Sequence, residues 1–478
     1  MRTEPRLVVR DVDTGVRAVR LRLPFRFGAV TLRACPQLFV RAVVEVDGHR
    51  PATGMAAELM VPKWFDKRDG FSHADNVGHL AMSVETAADA YADDRPATPF
   101  ELYARHAPAL HQAGAAHGLT ELSSAYGQAV LDRAVLDAMC RALGLSFFEA
   151  AARNATGLAD SALLPDLHGF DWAAWLAALK PQRTVHARHT IGMLDELHTH
   201  RVGDDGLPAS LPAVIARYGN RWFKIKLGGD PAADTRRLAE VMEVLDREVP
   251  GHRCTLDGNE QYGSAAALAE LVTRLAELPA VQRRPEALLY LEQPLPRDRS
   301  LTEPLPWREP PIPLLLDEAD GTLDAFVAGE RLGWRGVSSK GCKGFYKAIV
   351  NRARCDRWND AARRDGRMPR HFMSAEDLTC QAGLAVQQDL AIAALLGLTH
   401  SERNGHHYAD GFGDAPAEEQ REFAAAHPDL YAGDAARPRL AITDGRIAID
   451  SLFQPGFAHR ADPDWRAMQP LSAATTLV

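Results

Sequence analysis

What the sequence lacks narrows the field first. Cysteine is scarce: Cys35, Cys140, Cys254, Cys342, Cys355 and Cys380 are scattered, with no CxxC pair and no Cys/His zinc spacing. That argues against a disulfide framework and points to a reducing, cytoplasmic compartment. No run approaches the roughly 18 apolar residues of a membrane span, and the opening MRTEPRLVVRDVDTGVR has no apolar core of a secretory leader. The longest apolar stretch, around Leu390–Leu398, reads as a buried helix. An excess of basic charge is missing too. The net charge of −8 gives no reason to expect nucleic acid as a partner, while leaving room for local cationic sites that would suit an anionic ligand.

What is present divides into three sections of the 478 residues. Residues 1–122 open with short strand patterns such as LFVRAVVEV (38–46) and continue into polar and Ala-rich segments. Residues 123–434 alternate short strand candidates with longer helical patterns, the rhythm of βα units on a parallel sheet. Residues 435–478 hold one more strand signal, LAITDGRIAID, with Asp444-Gly445 as a hairpin dipeptide. Before the first barrel strand, Ala125–Leu143 carries apolar residues at helical spacing and Gly144 stops it.

Eight strand candidates follow: TVHARHTI (184–191), RWFKIKL (221–227), HRCTLD (252–257), ALLYLE (287–292), IPLLLD (312–317), WRGVSSK (334–340), PRHFMS (369–374) and GLTHSE (397–402). Seven end on a charged or polar residue: Lys226, Asp257, Glu292, Asp317, Lys340, Ser374 and Glu402. A (β/α)8 barrel predicts about 31 residues per unit and functional side chains at the C-terminal strand ends. A doubly wound open sheet is the competing architecture, and it does not normally use so many successive strands.

The strand-end residues carry the chemistry. Asp257, Glu292 and Asp317 end consecutive strands, so they would face one another at a barrel mouth. Repulsion would raise their pKa values unless a cation sat between them. Three carboxylate oxygens suit octahedral Mg²⁺, and no soft ligand is near to suggest zinc. A lone strand-end acid is more simply a helix cap, but three in succession are not. In RWFKIKL, alternation puts Trp222, Lys224 and Lys226 on one face. Two lysines there would each depress the other's pKa, which makes a usable base. Lys340 ends the sixth strand, opposite the second in an eight-stranded circle, so Lys226 and Lys340 would flank a ligand. Lys343 and Lys347 read as rim or anion-site groups.

These pieces together resemble the enolase superfamily, in particular its muconate lactonizing subgroup within the mandelate racemase/muconate lactonizing enzyme family. The matching stretches are FKIKLGGD (223–230), TLDGNEQY (255–262), YLEQPL (290–295), LLDEAD (315–320) and SSKGCKG (338–344). ALGLSFFEAA (142–151) resembles the family's linker, and ITDGRIAIDSLFQPGF (442–457) resembles its C-terminal return. The resemblance implies an α+β cap built from both chain ends over a modified (β/α)7β barrel. It implies Asp257, Glu292 and Asp317 as Mg²⁺ ligands, Lys226 and Lys340 as the acid/base pair, and Lys224 as the group that tunes Lys226 and helps hold the substrate carboxylate. The reaction it implies is removal of the proton α to a carboxylate, giving racemisation, epimerisation or dehydration of a small hydroxy or sugar-type acid. Cycloisomerisation and non-catalytic binding of Mg²⁺ and an acid are the alternatives. A homo-oligomer is implied as well.

Two N-terminal segments are expected over the site: LPFRFGAV (23–30), with Phe25 and Arg26, and 52–70, with Trp64. Asn259, Glu402 and His371 complete the expected substrate contacts, although a structural role suits His371 better because the sixth strand carries lysine rather than the aspartate that mandelate racemases pair with such a histidine. His406 and His407 lie just beyond Glu402. No DxD follows the eighth strand, which disfavours a dipeptide. A metal-dependent hydrolase is disfavoured too, because the histidines of 186–189 and 198–200 do not sit on strand ends with acids in order.

Overall fold

The computed structural model describes residues 4–92, 95–307, 309–433 and 437–478, so the boundary expected at 434/435 lies outside the described residues. The N-terminal segment is a long antiparallel hairpin, β1 (Leu7–Phe27) with β2 (Val30–Val46), extended by β3 (Ala52–Leu59). The sequence reads here as short strands because the pairing shifts register between Val9 and Asp11 and again between Arg20 and Phe25. Each irregularity breaks the period-two pattern while the ladder continues.

Three helices follow, α1 (His73–Tyr91), α2 (Pro99–Ala116) and α3 (Glu121–Leu143); α3 packs on this sheet, and α1 and α2 pack on α3. The first two begin with reciprocal capping boxes, Ser72 with Asp75 and Thr98 with Glu101, each cap contributing about 1 kcal/mol. α3 is held at its start by Thr120 and stopped by Gly144 in the left-handed conformation (φ 63°), where a side chain would be strained. It is buried nearly all round because it packs against the cap sheet, α1 and α2 on its way to the barrel. At Gly54 of β3, a Cβ would lie 2.1 Å from the Ala138 backbone nitrogen, so only glycine lets this strand and helix touch.

The chain's end returns to the same place. Val16 of β1 exchanges backbone hydrogen bonds of 2.8 and 2.9 Å with Gln469. Buried Asp137 of α3 accepts from the Met55 amide at 2.9 Å, the Phe457 amide at 2.6 Å and Arg141 Nε at 2.9 Å, with His459 Nε2 at 2.9 Å. One carboxylate thereby joins β3, α3 and the C-terminal segment, and the cap is built from both chain ends.

All eight barrel strands form: β4 (Thr184–Ile191), β5 (Trp222–Lys226), β6 (Arg253–Asp257), β7 (Leu288–Glu292), β8 (Leu314–Leu316), β9 (Gly336–Ser339), β10 (Phe372–Ala375) and β11 (His400–Glu402). They are parallel and successive. Pairing of β11 with β4 closes the circle and excludes the open sheet. Asp444 and Gly445 (φ 50° and 72°) make the expected tight turn, and the strand after it, Arg446–Ala448, pairs antiparallel with the start of β4. The six cysteines are buried and unpaired. Among the described residues no helix is long and apolar enough to cross a membrane.

Candidate active site

Strand register assembles the site. Lys226 stands opposite Asp257, and Asp257 opposite Glu292, so three charged side chains form a row across β5, β6 and β7 at the barrel's C-terminal end. Asp317 follows β8 directly and accepts from Ser338 of β9. Phe223 and Ile225 face the helices, while Lys224 and Lys226 face the lumen, as alternation requires. All six expected groups, Lys224, Lys226, Lys340, Asp257, Glu292 and Asp317, are buried together in this end of the barrel.

The charges are arranged in pairs. Lys226 Nζ lies 2.6 Å from Asp257 Oδ2, and on the facing strand Lys340 Nζ lies 2.5 Å from Asp317 Oδ2. Lys224 sits between them, with Asp257, Glu292, Glu376 and Glu402 carboxylate oxygens at 2.9, 2.7, 2.8 and 2.9 Å. Burial by itself would lower the pKa of Lys224, but these four carboxylates outweigh it and raise the pKa well above the ordinary lysine value. Lys340 is raised in the same way, against burial, chiefly by Asp317. The mutual lowering expected of a lysine pair is therefore absent at Lys224, because carboxylates stand closer to it than its neighbour's charge.

Glu292 is the exception among the acids. Lys224 Nζ stands 2.7 Å from its Oε2, but that lysine is shared with three other carboxylates and neither Glu292 oxygen accepts a well-directed hydrogen bond. Burial, then the negative charges of Asp257 and Glu376, push its pKa well above the usual carboxylate range. One lysine among four carboxylates does not offset their charge, and a buried carboxylate held like this calls for a further cation. With Asp257 and Asp317 beside it, the donor set is three oxygens and no sulfur or imidazole, which fits Mg²⁺. The support around it is rigid. Gln293 Oε1 accepts from the Asp317 and Ala319 amides at 2.9 and 3.1 Å. Asn259, Glu260 and Gln293 all hold positive φ (42°, 69° and 33°) at the ends of β6 and β7, and such strain concentrates at functional sites.

The cap closes the mouth with two aromatic rings. Phe25 lies 5.7 Å from Lys226 Nζ and Trp64 lies 4.3 Å from Lys340 Nζ, so each lysine has its own ring. The segment carrying Trp64 is fastened to the barrel. Arg297 donates to the Trp64 and Phe65 carbonyls at 2.9 and 2.6 Å. Lys67 reaches the Asn259 carbonyl, Glu318 and Glu260 at 2.8, 2.9 and 2.7 Å. Between the two cap segments lies a cleft of about 380 Å³ whose lining includes Phe27, Thr31, Lys63, Lys67 and Gln261.

Of the other expected contacts, Glu402 reaches Lys224, and Asn259 Nδ2 donates to Glu318 at 3.2 Å. Arg26 is exposed, on the face of β1 opposite Phe25 and Phe27, and so is not brought to the site. Nor is His371: it precedes β10 at the far end of the barrel, 3.4 Å from Glu330 and against the Trp358 ring. Lys343 and Lys347 are not at a solvated rim. Both are buried and bind Asp320, Lys343 through its carboxylate at 2.8 Å and Lys347 through its carbonyl. Sequence reading missed Glu376, which accepts from Lys224, Tyr290 and Arg188. Alternation from Ser374, carried one step past the end of β10, points to it. Arg188 lies inside β4 and Lys67 inside a loop, where no strand end marks them.

Solved structures share this architecture along the whole chain. A muconate lactonizing enzyme from Pseudomonas fluorescens complexed with muconolactone is 13% identical, with 95% of this chain and 97% of that chain covered and a TM-score of 0.56. An isomerase from Streptomyces coelicolor A3(2) is 17% identical, with 98% of each chain covered and a TM-score of 0.57. An enolase from Bradyrhizobium complexed with magnesium and mandelic acid is 16% identical, again over 98% of each chain, with a TM-score of 0.57. No protein-family model and no curated protein sequence matches the chain. At these identities the likeness establishes the fold: a closed parallel barrel under a cap made from both chain ends, as in enolases and muconate lactonizing enzymes.

Proposed function

We propose that this chain is an enzyme of the enolase superfamily that removes the proton α to the carboxylate of a small hydroxy or sugar-type acid, with Mg²⁺ as cofactor, and that the outcome is racemisation, epimerisation or dehydration. The observation that carries the reading is the opposition of Lys226 and Lys340 on strands two and six of the barrel, with Asp257, Glu292 and Asp317 between them.

Each lysine presents one Nζ to one face of a ligand in the lumen. Lys226 would take or return the proton on its face and Lys340 on the other, a role worth about 10²–10⁴-fold for a positioned acid or base. Bound at the three carboxylates, Mg²⁺ would act as a Lewis acid on the substrate carboxylate and would compete with Lys226 and Lys340 for the Asp257 and Asp317 oxygens. Lys224 offsets the negative charge of Glu376 and Glu402 where a substrate carboxylate would arrive. Phe25 and Trp64 exclude water from the two lysines, which protects the proton from loss to solvent. A pure binding protein has no use for two opposed lysines.

The test is proton exchange in D₂O with Mg²⁺ and a set of small carboxylates, followed by NMR for wild type and Lys340→Ala. The expected result is Mg²⁺-dependent loss of the α-proton signal that becomes confined to one enantiomer or epimer in the variant. Stoichiometric Mg²⁺ binding with no exchange of any acid would replace this reading with a binding function.

A further inference from the structure

Behind the barrel wall, on the other face of β4, three histidines meet. Arg188 and Thr190 of β4 point inward to Glu376 and Glu402, so His189 points away from the lumen. His407, in the turn after β11, brings its ring centroid to 5.0 Å from that of His189, and His406 stands at 5.4 Å. Asp195, in the loop after β4, completes the group. His189, Asp195 and His407 each place a ligand atom within 4.8 Å of the others. His189 and His407 are 1% and 3% exposed.

The imidazoles are unsatisfied. Nδ1 of His189, Nδ1 of His407 and both ring nitrogens of His406 are buried without a hydrogen-bond partner. Interiors leave few such atoms, and here four converge in one place. Asp195, by contrast, is held still. Its Oδ2 accepts from the Gly192 amide at 2.8 Å and its carboxylate accepts from Tyr408 Oη at 2.9 and 3.0 Å, which leaves lone pairs free. An orienting partner of this kind is what a carboxylate ligand requires.

We propose that His189, Asp195 and His407 form a second metal site, outside the barrel lumen, for a divalent transition metal of the zinc class. Two imidazoles and one carboxylate suit Zn²⁺ or Co²⁺ and not Mg²⁺, which prefers an all-oxygen set. Bond lengths of about 2.0–2.1 Å place tetrahedral ligand atoms about 3.3 Å apart, a closure that side-chain rotation from the present separations can supply. His406, whose ring packs against that of His189, lines a surface cleft of about 200 Å³ with Tyr218, Leu207 and Cys380. His406 or water takes the fourth position.

Such a metal braces the cap against the barrel. Arg22 of β1 donates to the His407 carbonyl at 2.8 Å, and Tyr408, the partner of Asp195, packs its ring 4.5 Å from Phe25. The Phe25 ring over Lys226 is therefore held through the same cluster. The site is a positioning device and takes no part in proton transfer.

The test uses the full chain stripped with a chelator and then titrated with Co²⁺ in millimolar Mg²⁺, which keeps the carboxylate site filled. The expected result is one equivalent of Co²⁺ with the intense visible absorption of a four- or five-coordinate, imidazole-ligated ion, together with a raised unfolding temperature. His407→Ala and Asp195→Asn each weaken it by about 100-fold or more, whereas Asp257→Asn leaves it intact. If His407→Ala does not fold, Asp195→Asn decides. Absence of Co²⁺ binding in the wild type would overturn the proposal. So would Co²⁺ binding lost in Asp257→Asn and unchanged in the histidine and Asp195 variants.

Discussion

Glu292 and Asp137 are both acidic and both 0% exposed, yet they have opposite fates. Asp137, in the cap, collects two backbone amides, an arginine and a histidine. Burial pushes its pKa up, but His459 and the other partners bring it down to about 2. Glu292, in the lumen, has only a share of Lys224 and no well-directed hydrogen bond on either oxygen, and burial and like charges outweigh that lysine and drive its pKa up. Burial costs both of them. Only the supply of donors decides whether a buried carboxylate fastens the fold or stands as an unmet demand for a ligand.

This contrast can be broken or sharpened by substitution. Glu292→Gln should cut Mg²⁺-dependent α-proton exchange by about 10³-fold or more. The same change should stabilise the metal-free protein by about 1–3 kcal/mol, measured by urea unfolding in chelator, and a loss of stability there would dissolve the contrast. Lys226→Ala should lower exchange by about 10²–10⁴-fold and confine what remains to the face served by Lys340, read by the stereochemistry of deuterium incorporation. Asp137→Asn should destabilise the fold by about 3–5 kcal/mol while leaving exchange per folded molecule unchanged. The wild type should also show the pH signature of a depressed carboxyl. Stability from Asp137 is complete above the ordinary value of 3.8 and is lost as pH falls through about 2, a loss of about 2 kcal/mol that acid unfolding of Asp137→Asn should lack. Smallest is Trp64→Leu, which removes the ring 4.3 Å from Lys340 Nζ and should lower turnover by about 2- to 30-fold. Phe25→Leu, at the longer 5.7 Å from Lys226, should do less.

Much of this was legible before any coordinates. Eight short runs, seven of them marked by a charged or polar residue at the end, point to the barrel strands, and the closing pair of β11 with β4 needs only their count. The lumen lysines and acids were found because strand alternation and strand ends are local properties of the sequence. What escaped depends on distant packing. Glu376 lies two residues past the last strand residue read as Ser374. Lys67 meets Glu318 across 251 positions. Arg188 faces inward from the middle of β4, where no end marks it. Arg26 was misplaced by position in a loop, although Phe25 and Phe27 on either side already assign it to the opposite face. Lys343 and Lys347 read in sequence as rim or anion-site groups because nothing local shows that buried Asp320 binds them. The raised pKa values of Lys224 and Lys340 depend on the distances to carboxylates on other strands.

Beside Trp64 the cap segment is fastened to the barrel through the Arg297 bonds to two carbonyls and the Lys67 bonds to Glu260, Glu318 and the Asn259 carbonyl. On the proposed function, a ligand beside Lys340 would lie beneath Trp64, and entry past that ring would have to break this latch. Its strands of charge are partly exposed at Lys67, so salt loosens them. The pace of turnover would then belong to the latch rather than to the proton: rising with ionic strength, slowed by viscosity, and blind to deuterium at the α-carbon.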